Sequence, residues 1–181
     1  MGLTGNGSST LSIILIVLGF LQLGCTSGSK TASPSPLRVV DGEAMLLGPM
    51  TRTSLFEHFA IFRDQYDAYA PDSATLIRLK NYPIATEIRV FVGTWCIDSK
   101  RHLPSFLRIM DQADNERLTY SLYGLDRSKR DSEGKSGRYG ITRVPTMVFL
   151  QNGAEIGRMT ERPNRSMEND ILNILFRSES D

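Results

Sequence analysis

The apolar run Ile88 to Val92 leads into Gly93-Thr94-Trp95-Cys96-Ile97-Asp98-Ser99-Lys100, after which Leu103, Phe106, Leu107 and Met110 recur at helical spacing. A thiol therefore stands where a strand passes into a helix. Unpaired backbone N–H groups and the positive end of the helix dipole favour an anion there, so the place suits a reactive thiolate. Ser99 follows three residues on, close enough along a helix to donate a hydrogen bond to the sulfur. Asp98 opposes the thiolate by like charge and Lys100 offsets it, while Asp98 also suits a helix N-terminus for its own sake. Such a thiol attacks disulfides, or is itself oxidised.

The chain has two cysteines, Cys25 and Cys96. If Cys25 is lipidated or removed, Cys96 has no internal partner, and stability must come from the core. A lone cysteine in an oxidising compartment is either buried and inert or kept for reactivity.

The elements that must position the thiol are read from patterning. Residues 37 to 47 hold two short apolar runs joined by Asp41-Gly42, a hairpin signal. Ser54 to Glu57 has capping-box spacing, and Leu55, Phe59, Phe62, Tyr66 and Tyr69 predict one amphipathic helix packed on the core. Asp72-Ser73 caps a shorter helix through about Lys80. A strand over 86–92 feeds the helix after Cys96, which Pro104 should bend. A second strand covers 118–125, and 126–140 is polar with one helical turn at most. Asn152-Gly153 joins strands at 146–151 and 155–159, and Met167, Ile171, Ile174 and Leu175 predict an amphipathic C-terminal helix. Strand, helix, strand, short helix, hairpin, helix implies an α/β fold, a mixed central sheet with helices on both faces.

On these residues the chain resembles the thioredoxins. The run VFVGTWCIDSKRHLP places Trp95 before Cys96, a basic residue after the four-residue motif, and Pro104 eight positions beyond the thiol. The run Tyr139 to Thr146, containing Val144-Pro145 and followed by an Asn-Gly hairpin, looks like the family's cis-proline segment. The chain is most similar to bacterial thioredoxin-like proteins with a Trp-Cys-x-Asp-Ser-Lys motif and a helical N-terminal extension. The resemblance implies a thioredoxin fold over 84–178, with 37–83 as an N-terminal extension. It implies that Cys96 is the nucleophile, Trp95 the apolar wall beside it, and Val144-Pro145 the strand end pairing with an extended substrate backbone.

The chain departs from the dithiol pattern at Ser99, which replaces the resolving cysteine, so an external thiol must release any mixed disulfide. Asp98 occupies a position commonly proline, and Val90 stands where dithiol thioredoxins carry a buried Asp. These residues imply a monothiol oxidoreductase acting on protein or small-molecule thiols and disulfides. A non-catalytic peptide-binding module and a thiol peroxidase or redox sensor are the alternatives; the Pro-x-x-x-Thr-x-x-Cys arrangement of peroxiredoxins is absent from the residues before Cys96.

The remaining residues bound the function. His102, about 240° around the helix from Cys96, reads as a surface histidine, and His58 as structural or exposed. One Cys and two separated His predict no metal site, and no cofactor motif is present. Arg127, Lys129, Arg130 and Lys135 read as a solvated loop, although such charge could also receive an anionic thiol. With Lys and Arg at 21 against 20 acidic residues, nucleic-acid binding is not expected.

Residues 1–24 carry no charge, and Leu11 to Leu23 is too short to span a bilayer as a helix, which fits an export signal. Gly24-Cys25 and a polar tether, 25–36, follow. The arrangement resembles a bacterial lipoprotein signal, with lipid on Cys25, although Gln22 stands where the lipobox usually has Leu. An ordinary cleaved signal, an uncleaved anchor and a cytoplasmic protein are the other readings. The expected location is the cell envelope, with the membrane reached through Cys25.

Overall fold

A computed structural model describes residues 37–131 and 133–177 together with Gly2. The described elements all belong to one compact unit. The predicted signal segment, the tether and Cys25 lie outside the described residues.

Chain order is β1 (Leu37–Val40), β2 (Glu43–Leu46), β3 (Gly48–Met50), α1 (Arg52–His58), α2 (Ala60–Ala68), α3 (Ser73–Lys80), β4 (Thr86–Val92), α4 (Ile97–Ala113), β5 (Leu118–Gly124), α5 (Lys135–Arg138), β6 (Thr146–Gln151), β7 (Ala154–Thr160) and α6 (Met167–Arg177). β1 and β2 form the hairpin foreseen from Asp41-Gly42; both turn residues have positive φ, 51° and 80°, as a tight two-residue turn requires. The main sheet is β3-β5-β4-β6-β7, with β4 and β5 parallel and the other neighbours antiparallel. Asn152 and Gly153, again at positive φ, close the β6–β7 hairpin.

β4 alternates between two cores, as a strand buried on both faces must. Ile88, Val90 and Val92 face the larger one with Phe106 and Leu107 of α4, Phe62 of α2 and Ile171 of α6. Phe91 faces the smaller one with Tyr123, Ile141, Val144 and Val148, and Trp95, Cys96 and Tyr139 pack against it. The thiol site thus grows from the smaller core. Α mixed sheet flanked by helices is the predicted fold class, and its topology around β4–α4–β5 and β6–β7–α6 is that of thioredoxin.

The N-terminal region departs from the prediction in three ways. The helix expected over 55–69 is two, broken at Phe59, which has φ −136° and ψ 85°. The i, i+3, i+4 spacing reads straight through a one-residue interruption, so periodicity does not register it. The capping box lies one turn earlier: Thr51 Oγ1 accepts from Ser54 N–H at 3.0 Å, and Thr51 N–H donates to Ser54 Oγ at 3.3 Å. Strand β3, three residues including Pro49, is too short to show a period, yet it forms an edge of the main sheet against β5. Asp72 caps α3 as expected, accepting from Thr75 N–H at 2.8 Å.

Gly124 explains how the N-terminal hairpin reaches the sheet. A Cβ there would land on the Leu46 carbonyl oxygen and stand 2.8 Å from Met50 Cε, so only glycine admits the chain between β2 and β3 at this point.

Candidate active site

The site is assembled at the end of β4. Gly93 to Cys96 forms a turn closed by Cys96 N–H donating to the Gly93 carbonyl at 2.9 Å. Cys96 is the N-cap of α4, with φ −80° and ψ 131°, and its carbonyl accepts from Lys100 N–H at 3.1 Å. A strand-ending turn and a 17-residue helix therefore hold the half-buried free thiol at the helix N-terminus, where sequence reading placed it. The helix continues unbroken through Pro104.

Opposite the thiol lies the cis Val144–Pro145 peptide. Cys96 Sγ donates to the Val144 carbonyl oxygen at 3.2 Å, so the two predicted halves of the site, 48 residues apart, meet through a hydrogen bond. Val144 and Pro145 are buried. The loop is fixed from behind: Glu161 N–H donates to the Pro145 carbonyl at 2.7 Å, Thr146 Oγ1 donates to the Arg143 carbonyl at 2.8 Å, and Arg143 pairs with Glu161 at 2.9 Å.

Trp95 folds back over the turn. Its Nε1–H donates to the Leu125 carbonyl at 3.0 Å. Its ring lies so close to Gly93 that a Cβ there would sit 2.8 Å from Cε2 and 3.0 Å from Val144 Cγ2. The indole thus packs over the turn and against the smaller core.

Ser99 makes a bond that the sequence does not foretell. It is fully buried, and its hydroxyl accepts from Gly93 N–H at 3.3 Å, while the thiol's own bond goes to Val144. Ser99 therefore braces the turn beneath the cysteine, its oxygen serving a buried backbone N–H that needs an acceptor. Asp98 and Lys100 sit half-buried in the first turn of α4. Val90 is fully buried, paired in register with Leu122 and Met147, so the position beneath the site is apolar.

The histidines stay outside this chemistry. His102 is half-buried, and desolvation lowers its pKa, partly opposed by Asp98 and reinforced by Arg101 and Arg162. His58 is exposed at the end of α1. Among the described residues, no three His, Cys, Asp or Glu side chains are grouped to hold a metal ion.

Sequence reasoning missed several contributors. Ile97, next to the thiol, is 64% exposed, an apolar side chain beside a nucleophile; its position alone could have marked it. Arg127 and Lys129, read as a solvated loop, are instead positioned against the site: the Arg127 guanidinium carbon lies 5.0 Å and Lys129 Nζ 5.6 Å from the Trp95 ring centroid. Glu43, 84 residues from Arg127, pairs with it at 2.5 Å, and no sequence pattern could have linked them. Lys135 likewise pairs with Glu133 at 2.9 Å and caps the Tyr123 ring at 4.5 Å.

A cysteine at a helix N-terminus facing a cis-proline, on a sheet of this order, is the arrangement of the thioredoxin fold. Comparison with known proteins finds the following similarities. “Putative thioredoxin-5” of Dictyostelium discoideum is 27% identical over 97 residues, covering 54% of this chain and 87% of that one. A solved Pseudomonas aeruginosa protein of unknown function shares the fold at TM-score 0.51 and 17% identity, covering 72% of this chain and 87% of that one. The Fasciola hepatica thioredoxin gives TM-score 0.39 and 20% identity over 58% of this chain and 92% of its own. No family model matches the chain.

Proposed function

We propose that the protein is a monothiol thiol–disulfide oxidoreductase. The observation that carries this reading is Cys96 at the α4 N-terminus with its Sγ 3.2 Å from the Val144 carbonyl, before the start of β6, where the resemblance implies that an extended client backbone pairs. The Cys96 thiolate attacks one sulfur of a client disulfide; a Cys96–client S–S bond forms and the second client sulfur leaves as a thiolate. Ser99 cannot attack this mixed disulfide. An external thiolate attacks the client sulfur, forming a new disulfide with it and releasing the Cys96 thiolate, so the net reaction is exchange between two outside partners. The position of Val90 fits this cycle, since no internal resolving thiol needs a proton acceptor beneath it.

The test uses the full chain carrying Cys25→Ser, whose single thiol is Cys96. Added 4,4′-dithiodipyridine, a neutral disulfide, should release thiopyridone from the folded protein and leave an adduct that an added monothiol removes. A thiol that reacts only in denaturant defeats the proposal. The apolar surroundings of the site, with exposed Ile97 and buried Val90, favour a second reading, a peptide-binding platform that does no exchange. Peptide binding unchanged in Cys96→Ser, with no adduct in the parent chain, would establish that one. Sulfenate trapped after dilute peroxide would instead favour the peroxidase or sensor.

The envelope location and a lipid on Cys25 remain part of this proposal, supported by the apolar run before Gly24-Cys25. Among the described residues, no helix is long and apolar enough to cross a membrane. Metabolic labelling with a fatty acid, lost in Cys25→Ser, tests it.

A further inference from the structure

The N-terminal hairpin touches the thiol site at two points. Leu46 N–H, at the end of β2, donates to Thr94 Oγ1 at 3.4 Å, and Thr94 is the buried residue just before Trp95. Glu43, at the other end of β2, accepts from Arg127 Nε at 3.0 Å and from Nη2 at 2.5 Å through the same oxygen, Oε2. The guanidinium so held lies over the Trp95 ring. Arg127 is otherwise solvent-facing, with its side chain 58% exposed, so little besides Glu43 and the indole restrains it. A planar guanidinium stacks well only if its plane is fixed, and the carboxylate fixes it.

We propose that Glu43 is a positioning residue of the thiol site, acting through Arg127 to hold the Trp95 indole as a preformed wall for a client disulfide. The hairpin is thereby part of the site. A client meeting an ordered wall loses less side-chain freedom on docking than one that must order the indole itself, so the effect falls on client affinity. Thiol reactivity toward a small alkylator depends on the α4 N-terminus and Val144, which Glu43 does not touch.

The client part of this inference rests on the oxidoreductase reading; the holding of Trp95 does not. Trp95 is the only tryptophan, so its fluorescence reports on the site alone. The full Cys25→Ser chain is compared with its Glu43→Gln, Arg127→Met and doubly substituted forms. Acrylamide quenching of Trp95 should rise about twofold in each single variant. KM for a neutral peptide disulfide should rise about two- to fivefold with kcat and the iodoacetamide rate unchanged, a size set by the exposed ion pair. The double variant should match Arg127→Met, because both substitutions cut one connection. On the unsubstituted chain, about 1 M salt should raise quenching about twofold, which tests the pair even if the Glu43→Gln variant fails to fold. Quenching and KM unchanged in a folded Glu43→Gln, or effects that multiply in the double variant, overturn the proposal. If the parent chain exchanges no disulfide, the oxidoreductase reading falls and quenching alone decides the role of Glu43.

Discussion

Replacing Gly93 with alanine should strike the site at its tightest point. An added Cβ would lie 2.8 Å from Trp95 Cε2, 2.9 Å from Cζ2 and 3.0 Å from Val144 Cγ2, against an ordinary carbon–carbon separation of about 3.5–4.0 Å. Relief requires a shift of about 0.5–1 Å by the indole, by Val144, or by the turn itself. The turn resists, since Gly93 N–H is bound to buried Ser99 and its carbonyl to Cys96 N–H. Val144 is buried and closed in by the Pro145–Glu161 hydrogen bond. Trp95 is the half-buried member, held by one hydrogen bond to Leu125 and by stacking, so it should give way. Losing that bond costs about 0.5–1.5 kcal/mol, and overpacking elsewhere would cost about 1–3, so release of the indole is the cheaper course. The expected destabilisation is about 1–2 kcal/mol, with red-shifted Trp95 emission in the native state and slowed exchange with a peptide disulfide. Urea titrations followed by emission and far-ultraviolet circular dichroism measure both. A Gly93→Ala protein with parental midpoint and parental emission would refute the account of this packing.

In the Cys25→Ser chain, Ser99→Cys places a second thiol three residues after Cys96 at the helix N-terminus, so oxidation should close an internal disulfide and remove both titratable thiols; two thiols still free after oxidation would show that the buried position 99 cannot turn toward Cys96. Gly124→Ala should cost at least about 3 kcal/mol or detach the N-terminal hairpin, because the new Cβ meets the Leu46 backbone rather than a movable side chain; hydrogen exchange of the β1–β2 amides against those of β6–β7 distinguishes the two, and parental protection and stability would refute it. Burial pushes the Asp131 carboxyl up, but amide hydrogen bonds from Ser136, Lys135 and Glu133 outweigh it and hold its pKa below the ordinary value; Asp72 is lowered too, by the Thr75 amide and hydroxyl. Folded pKa values below the unfolded ones contribute stability that is present above about pH 4 and lost as pH falls through the folded values, so Asp131→Asn should flatten the acid limb of the stability curve; an unchanged slope would count against it.

Much of the fold and half of the site can be read from the chain because those parts are encoded locally. The alternation of Ile88 to Val92, the stripe Leu103, Phe106, Leu107 and Met110, and the Asn152-Gly153 turn each carry their own period or turn chemistry, and each becomes the expected element. Cys96, Trp95 and Val144-Pro145 are recognisable because each lies in a short run whose order is itself the signal, and the sheet then brings the two runs within a hydrogen bond. Ser99 was legible as a residue, but its acceptor role toward the Gly93 amide was not, because that contact exists only once β4 and α4 are packed. The break at Phe59 and the strand Gly48–Met50 escaped for a different reason, being shorter than any period that patterning can resolve.

By itself, then, the sequence determined where the thiol stands, which elements carry it, and that no second cysteine follows it in the motif. Tertiary structure alone decided what surrounds that thiol: the Val144 carbonyl as its partner, Ser99 turned to the backbone, and Glu43 reaching Arg127 across 84 residues to the single tryptophan. Local preferences act between neighbours in the chain, whereas a hydrogen bond or an ion pair depends only on distance in space, and the closing of the sheet is what sets that distance.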